Sequence, residues 1–355
     1  MKPFLFSICL IFSVFSAHAQ QYAWQKLKTE PYRGKQDDIC FVDENRGWYI
    51  NGYGKIFHTN DGGQKWEMQL EKKGTFFRCI AFVDSLTGFA GAVGTDYFPN
   101  VTDTIPLYKT TDGGKKWEAV KYTGGYVKGL CALDIVKEQY VNHGEIGYKY
   151  HIFGVGRVGS PANFMVSHDG GETFTSMSMK PYCDAMYDIK MFNKNEGFAC
   201  ASKNEEIEKS HAMIVQTKDG GKTWKSVYES ERNFEISWKV SFPTQKTGYA
   251  TIQSYNADTT VKRQHFIKTT NGGKKWKEYT LCEDHNARSF GVGFIDDNIG
   301  FIGTMNTGYQ TTDGGANWTK TNMGMACNKI RIMKKPDGSV YGYAIGVNVF
   351  KLEVK

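Results

Sequence analysis

Several things are scarce or missing in this 355-residue chain. Proline is scarce, at 8 residues against 39 glycines. After the first twenty residues, no apolar run approaches the ~20 residues that a membrane-spanning helix needs. Eight cysteines are present, yet none forms a Cys-x-x-Cys pair. That argues against a dithiol redox site and a zinc knuckle. A His-Glu-x-x-His zinc helix, a nucleophile elbow, a phosphate-binding Walker loop and a calcium loop are all missing. Nor is there a basic helix or an arginine-rich arm, so nucleic acid is not an expected partner. No cofactor and no metal is implied.

Aromatic residues are plentiful: 20 Tyr, 23 Phe and 8 Trp make up 14% of the chain. Charged residues account for 23% and hydrophobic residues for 40%. Short aromatic-rich strands joined by glycine turns have this composition; coiled coils and disordered chains do not. The formal charge is +7, and loss of Lys2 with a leader would leave 7 − 1 = +6. Scattered lysines of this kind chiefly favour solubility.

Residues 1–19 read as a secretory signal. Lys2 precedes an apolar run from Phe4 to Phe15, and Ala17-His18-Ala19 forms the cleavage site. Cys9 lies inside the run with no small residue before it, so a lipid-anchored cysteine is not expected. The expected location is exported, periplasmic or secreted, with no membrane span. Seven cysteines then remain: Cys40, Cys79, Cys131, Cys183, Cys200, Cys282 and Cys327. The number is odd, so at least one is unpaired within the chain.

One octet, Thr59-Asn60-Asp61-Gly62-Gly63-Gln64-Lys65-Trp66, recurs at 110–117, 167–174, 217–224, 269–276 and 311–318. Its third position is Asp61, Asp112, Asp169, Asp219, Asn271 or Asp313. An Asp or Asn there accepts backbone N–H bonds, and the paired glycines tolerate positive φ. The aromatic that follows opens the next strand. The expected role of all six is structural.

Two further signals run in phase with the octet. A glycine followed by an aromatic opens a strand at 47, 88, 197, 248, 300 and 342, and 150–154 fills the same slot. An apolar strand precedes each by about eight residues, at 39, 80, 130, 189, 240, 292 and 330. The period gives seven four-stranded units. The seventh runs out of chain after 349–352, and Ala23 to Leu27 matches its missing strand. The expected fold is all-β: one seven-bladed β-propeller over residues 20–355, its last blade closed by the N-terminal strand. Closure protects the sheet edges.

The octet resembles the Asp-box, or BNR, repeat. The longer pattern is similar to the photosystem II assembly and stability factor propellers, including their non-photosynthetic bacterial relatives. The resemblance implies a propeller and, by analogy, a non-catalytic assembly factor.

In such a fold the inner strands all begin at one face, around the central channel. Aligning the seven starts gives Asp37, Arg78, Lys128, Tyr187, Trp238, Phe290 and Asn328. The next position reads Asp38, Cys79, Gly129, Asp188, Lys239, Gly291 and Lys329. A repeat kept only for folding would tend to reuse one residue type; these diverge towards charge and aromatics. Insertions at 94–106, 202–211 and 254–264 should wall the same face, and extra residues at 137–148 should emerge on the opposite one. Expected binding residues are therefore Asp37, Asp38, Arg78, Lys128, Tyr187, Asp188, Trp238, Lys239, Phe290, Arg288 and Lys329. Their mixed charge and aromatic faces suit a protein partner or assembly intermediate of the cell envelope, or a glycan.

Catalytic alternatives are weaker. A sialidase needs an arginine cluster, but the chain beyond residue 19 has eight arginines and no Arg-Ile-Pro segment. A glycosidase would need two facing carboxylates, with Asp37, Asp38, Asp184 and Asp188 as candidates. A polysaccharide lyase would draw on His265, His285, Tyr187 and Arg288. Gly154 to Gly159 spells a dinucleotide fingerprint, but Ser160-Pro161 follows it where a helix is required. The expected function is a non-enzymatic binding protein, with a carbohydrate-active or carbohydrate-binding propeller as the alternative.

Overall fold

A computed structural model describes residues 21–354. The signal-like segment 1–19, with Cys9, lies outside the described residues. The described chain is all-β; its one helical element is a 3-10 turn at Ile207–Lys209. No helix among the described residues is long and apolar enough to cross a membrane.

Twenty-nine strands form seven sheets, six of four antiparallel strands and one of five, in which the short edge strand Thr123–Gly124 pairs in parallel with Thr175–Ser178. The first sheet is Asp38–Phe41, Gly47–Ile50, Lys55–Thr59 and Glu67–Glu71, and the later sheets repeat this meander. Their first strands are Phe77–Phe82, Ala132–Asn142, Ala185–Met191, Glu235–Ser241, Ser289–Phe294 and Lys329–Lys334. Each first strand touches the next in order, and Asp38–Phe41 touches Lys329–Lys334. This arrangement is consistent with a propeller. The seventh sheet contains Tyr22–Lys26, paired antiparallel with Val349–Val354 from Tyr22↔Val354 to Lys26↔Phe350.

The octet folds as the chemistry of its residues demands. Thr59 Oγ1 donates to Asp61 Oδ1 and accepts from Gly63 N, while Asp61 Oδ1 accepts from Lys65 N at 2.9 Å. Asn271 makes the same bonds through its amide oxygen. In each box the second glycine has positive φ, because the turn requires it. That glycine is also a packing site. A Cβ on Gly221 would come within 2.2 Å of Phe164, and one on Gly273 within 2.1 Å of Phe198. Both rings belong to the preceding sheet, so the box carries the contact from sheet to sheet. The six third-position residues are used within their own turns.

A second device joins neighbouring sheets near the axis. Ile80 N donates to Asp38 Oδ2, Met191 N to Asp134 Oδ2 and Val240 N to Asp188 Oδ2. In the next interface Ser241 Oγ takes this place, accepting from Phe294 N. An inner-strand side chain thus satisfies a backbone donor of the following sheet, which would otherwise be buried and unpaired. The extra residues of the third sheet continue its first hairpin, up to Asn142↔Glu145. They extend away from the strand starts. All seven described cysteines are free thiols.

Candidate binding site

The aligned strand starts do meet. Trp238 Nε1 donates to Asn328 Oδ1 at 2.9 Å, and Asn328 Nδ2 donates to Asp37 O at 2.7 Å. Asp37 is ion-paired with Arg78, and its Oδ1 also accepts from Lys35 Nζ at 2.6 Å. Four sheets are tied together by these bonds. Tyr187 and Phe290 flank Trp238, with ring centroids 5.3 and 6.3 Å away. The Tyr187 hydroxyl is bonded to Ser202 Oγ. Three cations surround the indole: Lys35, Arg78 and Lys239 lie 5.6, 5.2 and 5.0 Å from its centroid. Together these residues make a buried floor.

Loops build the rim above it. Arg157 donates to Val93 O and Thr95 O, fixing the start of the 94–106 insertion. That insertion supplies Asp96, which pairs with Lys128, and exposed Tyr97. The Arg288 guanidinium lies 4.4 Å from the Tyr255 ring, which comes from the 254–264 insertion. Six cations (Lys35, Arg78, Lys128, Arg157, Lys239 and Arg288) thus accompany the carboxylates Asp37 and Asp96. The excess charge is cationic.

Burial tunes these groups. It pushes the Lys35 ammonium down to about 7, with Arg78 adding to the effect and Asp37 opposing it. The Arg78 guanidinium also pays for burial, but Asp37 raises it above its ordinary value. Burial likewise raises the phenols of Tyr187 and Tyr255. They stay protonated near neutral pH, and the Tyr255 hydroxyl donates to Gln253 Oε1 at 3.0 Å.

The second aligned position behaves differently from the expectation. Asp38, Asp188, Lys239 and Lys329 are buried in internal contacts rather than arrayed at an open face. Lys329 Nζ lies 2.6 Å from Asp188 Oδ1, and Lys239 Nζ donates to Tyr187 O at 3.0 Å. Asp38 receives the Arg331 guanidinium at 3.0 and 3.1 Å. Burial alone would raise the Asp188 carboxyl, but Lys329 and Lys239 hold it below its ordinary value. The reason is positional: one residue further along, a side chain turns towards the seam between sheets, although the Lys239 ammonium still reaches the Trp238 ring.

Lys35, Tyr97, Arg157 and Tyr255 were not among the expected residues. The 94–106 and 254–264 insertions pointed to Tyr97 and Tyr255. No sequence signal marked Lys35, which sits two residues before the first aligned position. Among the described residues, no cluster of His, Cys, Asp or Glu could hold a metal ion.

Residues 16–122 match the family model described as photosynthesis system II assembly factor YCF48. The chain resembles the Ycf48 propellers. The photosystem II assembly lipoprotein Ycf48 of Trichormus variabilis is 32% identical over 137 residues, covering 28% of this chain and 40% of the relative. The match therefore spans less than half of that relative's length. A solved structure of YCF48 bound to D1 peptide superposes over 94% of this chain and 95% of that one. Its TM-score is 0.64 at 15% identity. An ancestral GH74 enzyme superposes over 92% of this chain and 45% of its own, with a TM-score of 0.62 at 13% identity. At such identities both likenesses are of fold.

Proposed function

We propose that the seven sheets are the blades of one propeller over residues 20–355, closed by Tyr22–Lys26 and exported behind the signal at 1–19. Its function is non-enzymatic binding of a protein partner or assembly intermediate of the cell envelope, at the mouth formed by the strand starts. The observation that carries this reading is the cationic rim over the Tyr187–Trp238–Phe290 floor. A carboxylate-bearing segment fits it through charge-assisted hydrogen bonds, with aromatic contact beneath. The YCF48 structure with a D1 peptide supports a peptide-binding use of this fold. In this assignment Lys128 and Arg288 face the partner, and Arg78 supplies charge from the floor beneath them. Asp38, Asp188, Lys239 and Lys329 hold the ring.

A carbohydrate-active propeller would need two facing carboxylates free to act. Asp37 is held by two cations, and Asp38 and Asp188 lie in ion pairs. The test is a pull-down from cell-envelope extract with the domain and a Lys128→Ala/Arg288→Ala variant, identifying bound proteins and glycans. A protein retained by the wild type and lost by the variant is the expected result. Retention of a trimmed glycan, or identical binding to both, overturns the reading.

A further inference from the structure

Beside the mouth lies an apolar groove of about 430 Å³, lined mainly by Tyr32, Tyr53, Phe76, Phe98 and Val101. Four chain segments build it: the approach to the first sheet, its 51–54 turn, the 73–76 link into the second sheet, and the 94–106 insertion. The walls are fixed. Thr102 N and Asp103 N both donate to Gly74 O, and Asp103 Oδ2 accepts from Thr75 Oγ1 and Tyr108 OH. Phe76 lies over Gly52, where a Cβ would come within 2.4 Å of its ring. The groove is therefore formed before anything enters it.

Two residues make it continuous with the mouth. Tyr97 belongs to the rim, and its ring meets Phe98 edge-on at 4.7 Å. Tyr32 lines the groove, and its phenol feels both Asp37 and Arg78. A ligand held by the cations thus has an apolar channel directly beside it.

We propose that the groove takes an apolar side chain of an extended peptide whose carboxylate is held at the mouth. The proposal rests on the binding reading above and names the chemistry of its partner. The groove rings decide for a peptide against a sugar. A sugar needs an open aromatic face with polar groups beside it. Here Phe76 and Phe98 stack on each other at 4.3 Å, and Tyr53 packs edge-on to Tyr32 at 4.7 Å. Of the polar residues that also line it, Thr75 is already bonded to Asp103, which leaves Lys73 and Asn100. What remains is a slot between ring edges, suited to an aliphatic, proline or aromatic side chain.

The test uses a synthetic nonapeptide library with Asp or Glu fixed at the C-terminal end and the other positions varied. Binding is read for the wild type, Tyr53→Ser, Phe98→Ser and Lys128→Ala/Arg288→Ala, with thermal melts to confirm folding. Tyr53 is exposed, so its variant keeps the fold. The wild type should enrich an apolar residue at one fixed distance from the acid, about tenfold over glycine. Tyr53→Ser and Phe98→Ser should lose that preference and keep the need for an acid. The charge variant should lose the need for an acid. Acid-dependent binding without an apolar preference, or with one that the groove variants do not change, overturns the groove and leaves the mouth standing. No acid-dependent binding overturns both. Binding of acidic oligosaccharides that Tyr53→Ser abolishes would assign the groove to sugar and overturn the peptide.

Discussion

Trp238 and Asn328 are joined across the axis by a 2.9 Å hydrogen bond from the indole N–H to the amide oxygen. The same amide donates to Asp37 O, so one asparagine satisfies polar groups from two other sheets. Asn328→Leu removes both bonds and leaves a buried donor and a buried acceptor unpaired. Each costs about 1–3 kcal/mol. Chemical denaturation should show the midpoint falling with little change in slope. An unchanged midpoint would mean that the link carries no load.

Asp188 faces Lys329 and Lys239 and also accepts from Val240 N. Asp188→Ala strands two buried ammonium groups and one backbone donor. A loss of about 3–5 kcal/mol is expected. Asp188→Asn keeps an acceptor for Val240 and should lose less. Equal losses for the two variants would place the whole effect in the carboxylate charge facing the two lysines, and none in the backbone bond.

The repeating parts of the molecule were legible in the sequence, and the singular parts were not. The octets located six glycine turns because each turn's bonds close within four residues, as from Thr59 to Gly63. Aligning the strand starts brought Asp37, Arg78, Tyr187, Trp238, Phe290 and Asn328 together, since one repeat position maps to one radius and height. Their pairings were hidden: Asn328 reaches Asp37 over 291 residues of chain, and nothing local records that choice. Asp38, Asp188, Lys239 and Lys329 looked like mouth residues for the same reason. A one-residue step along a strand turns a side chain to another surface. Lys35 and Arg157 escaped because they lie in irregular segments outside the repeat.

The octet carboxylates predict an acid response. Hydrogen bonds from the Asn317 side chain and backbone hold Asp313 down at about 2, and Asp61, Asp112 and Asp219 are also lowered, chiefly by hydrogen bonds within their turns. A carboxylate depressed in the folded state contributes stability above its unfolded value of about 4. That contribution is lost as pH falls from about 4 towards 2. Asn271 shows that an amide makes the same turn without titrating. Asp313→Asn should therefore lose less melting temperature than the wild type between pH 5 and pH 2.5. A steeper loss in the variant would contradict the assignment.

Lys35 makes the proposed binding depend on pH near neutrality. Its ammonium is lowered to about 7 by burial and by Arg78, with Lys239 adding to the effect and Asp37 opposing it. In the unfolded chain it would titrate near 10.4. Because the folded protein holds this proton less tightly, stability should rise as pH climbs from about 7 towards 10. Binding of an acidic peptide should move the other way, since the mouth gains a positive charge below about 7. Affinity measured at pH 6 should exceed that at pH 8. Lys35→Gln removes the charge at both values, so its affinity should be low and nearly flat across this range. Lys35→Arg keeps the charge at both, so its affinity should be high and nearly flat. If Lys35→Gln retained the wild-type slope, the titrating group would lie elsewhere in the mouth or on the peptide.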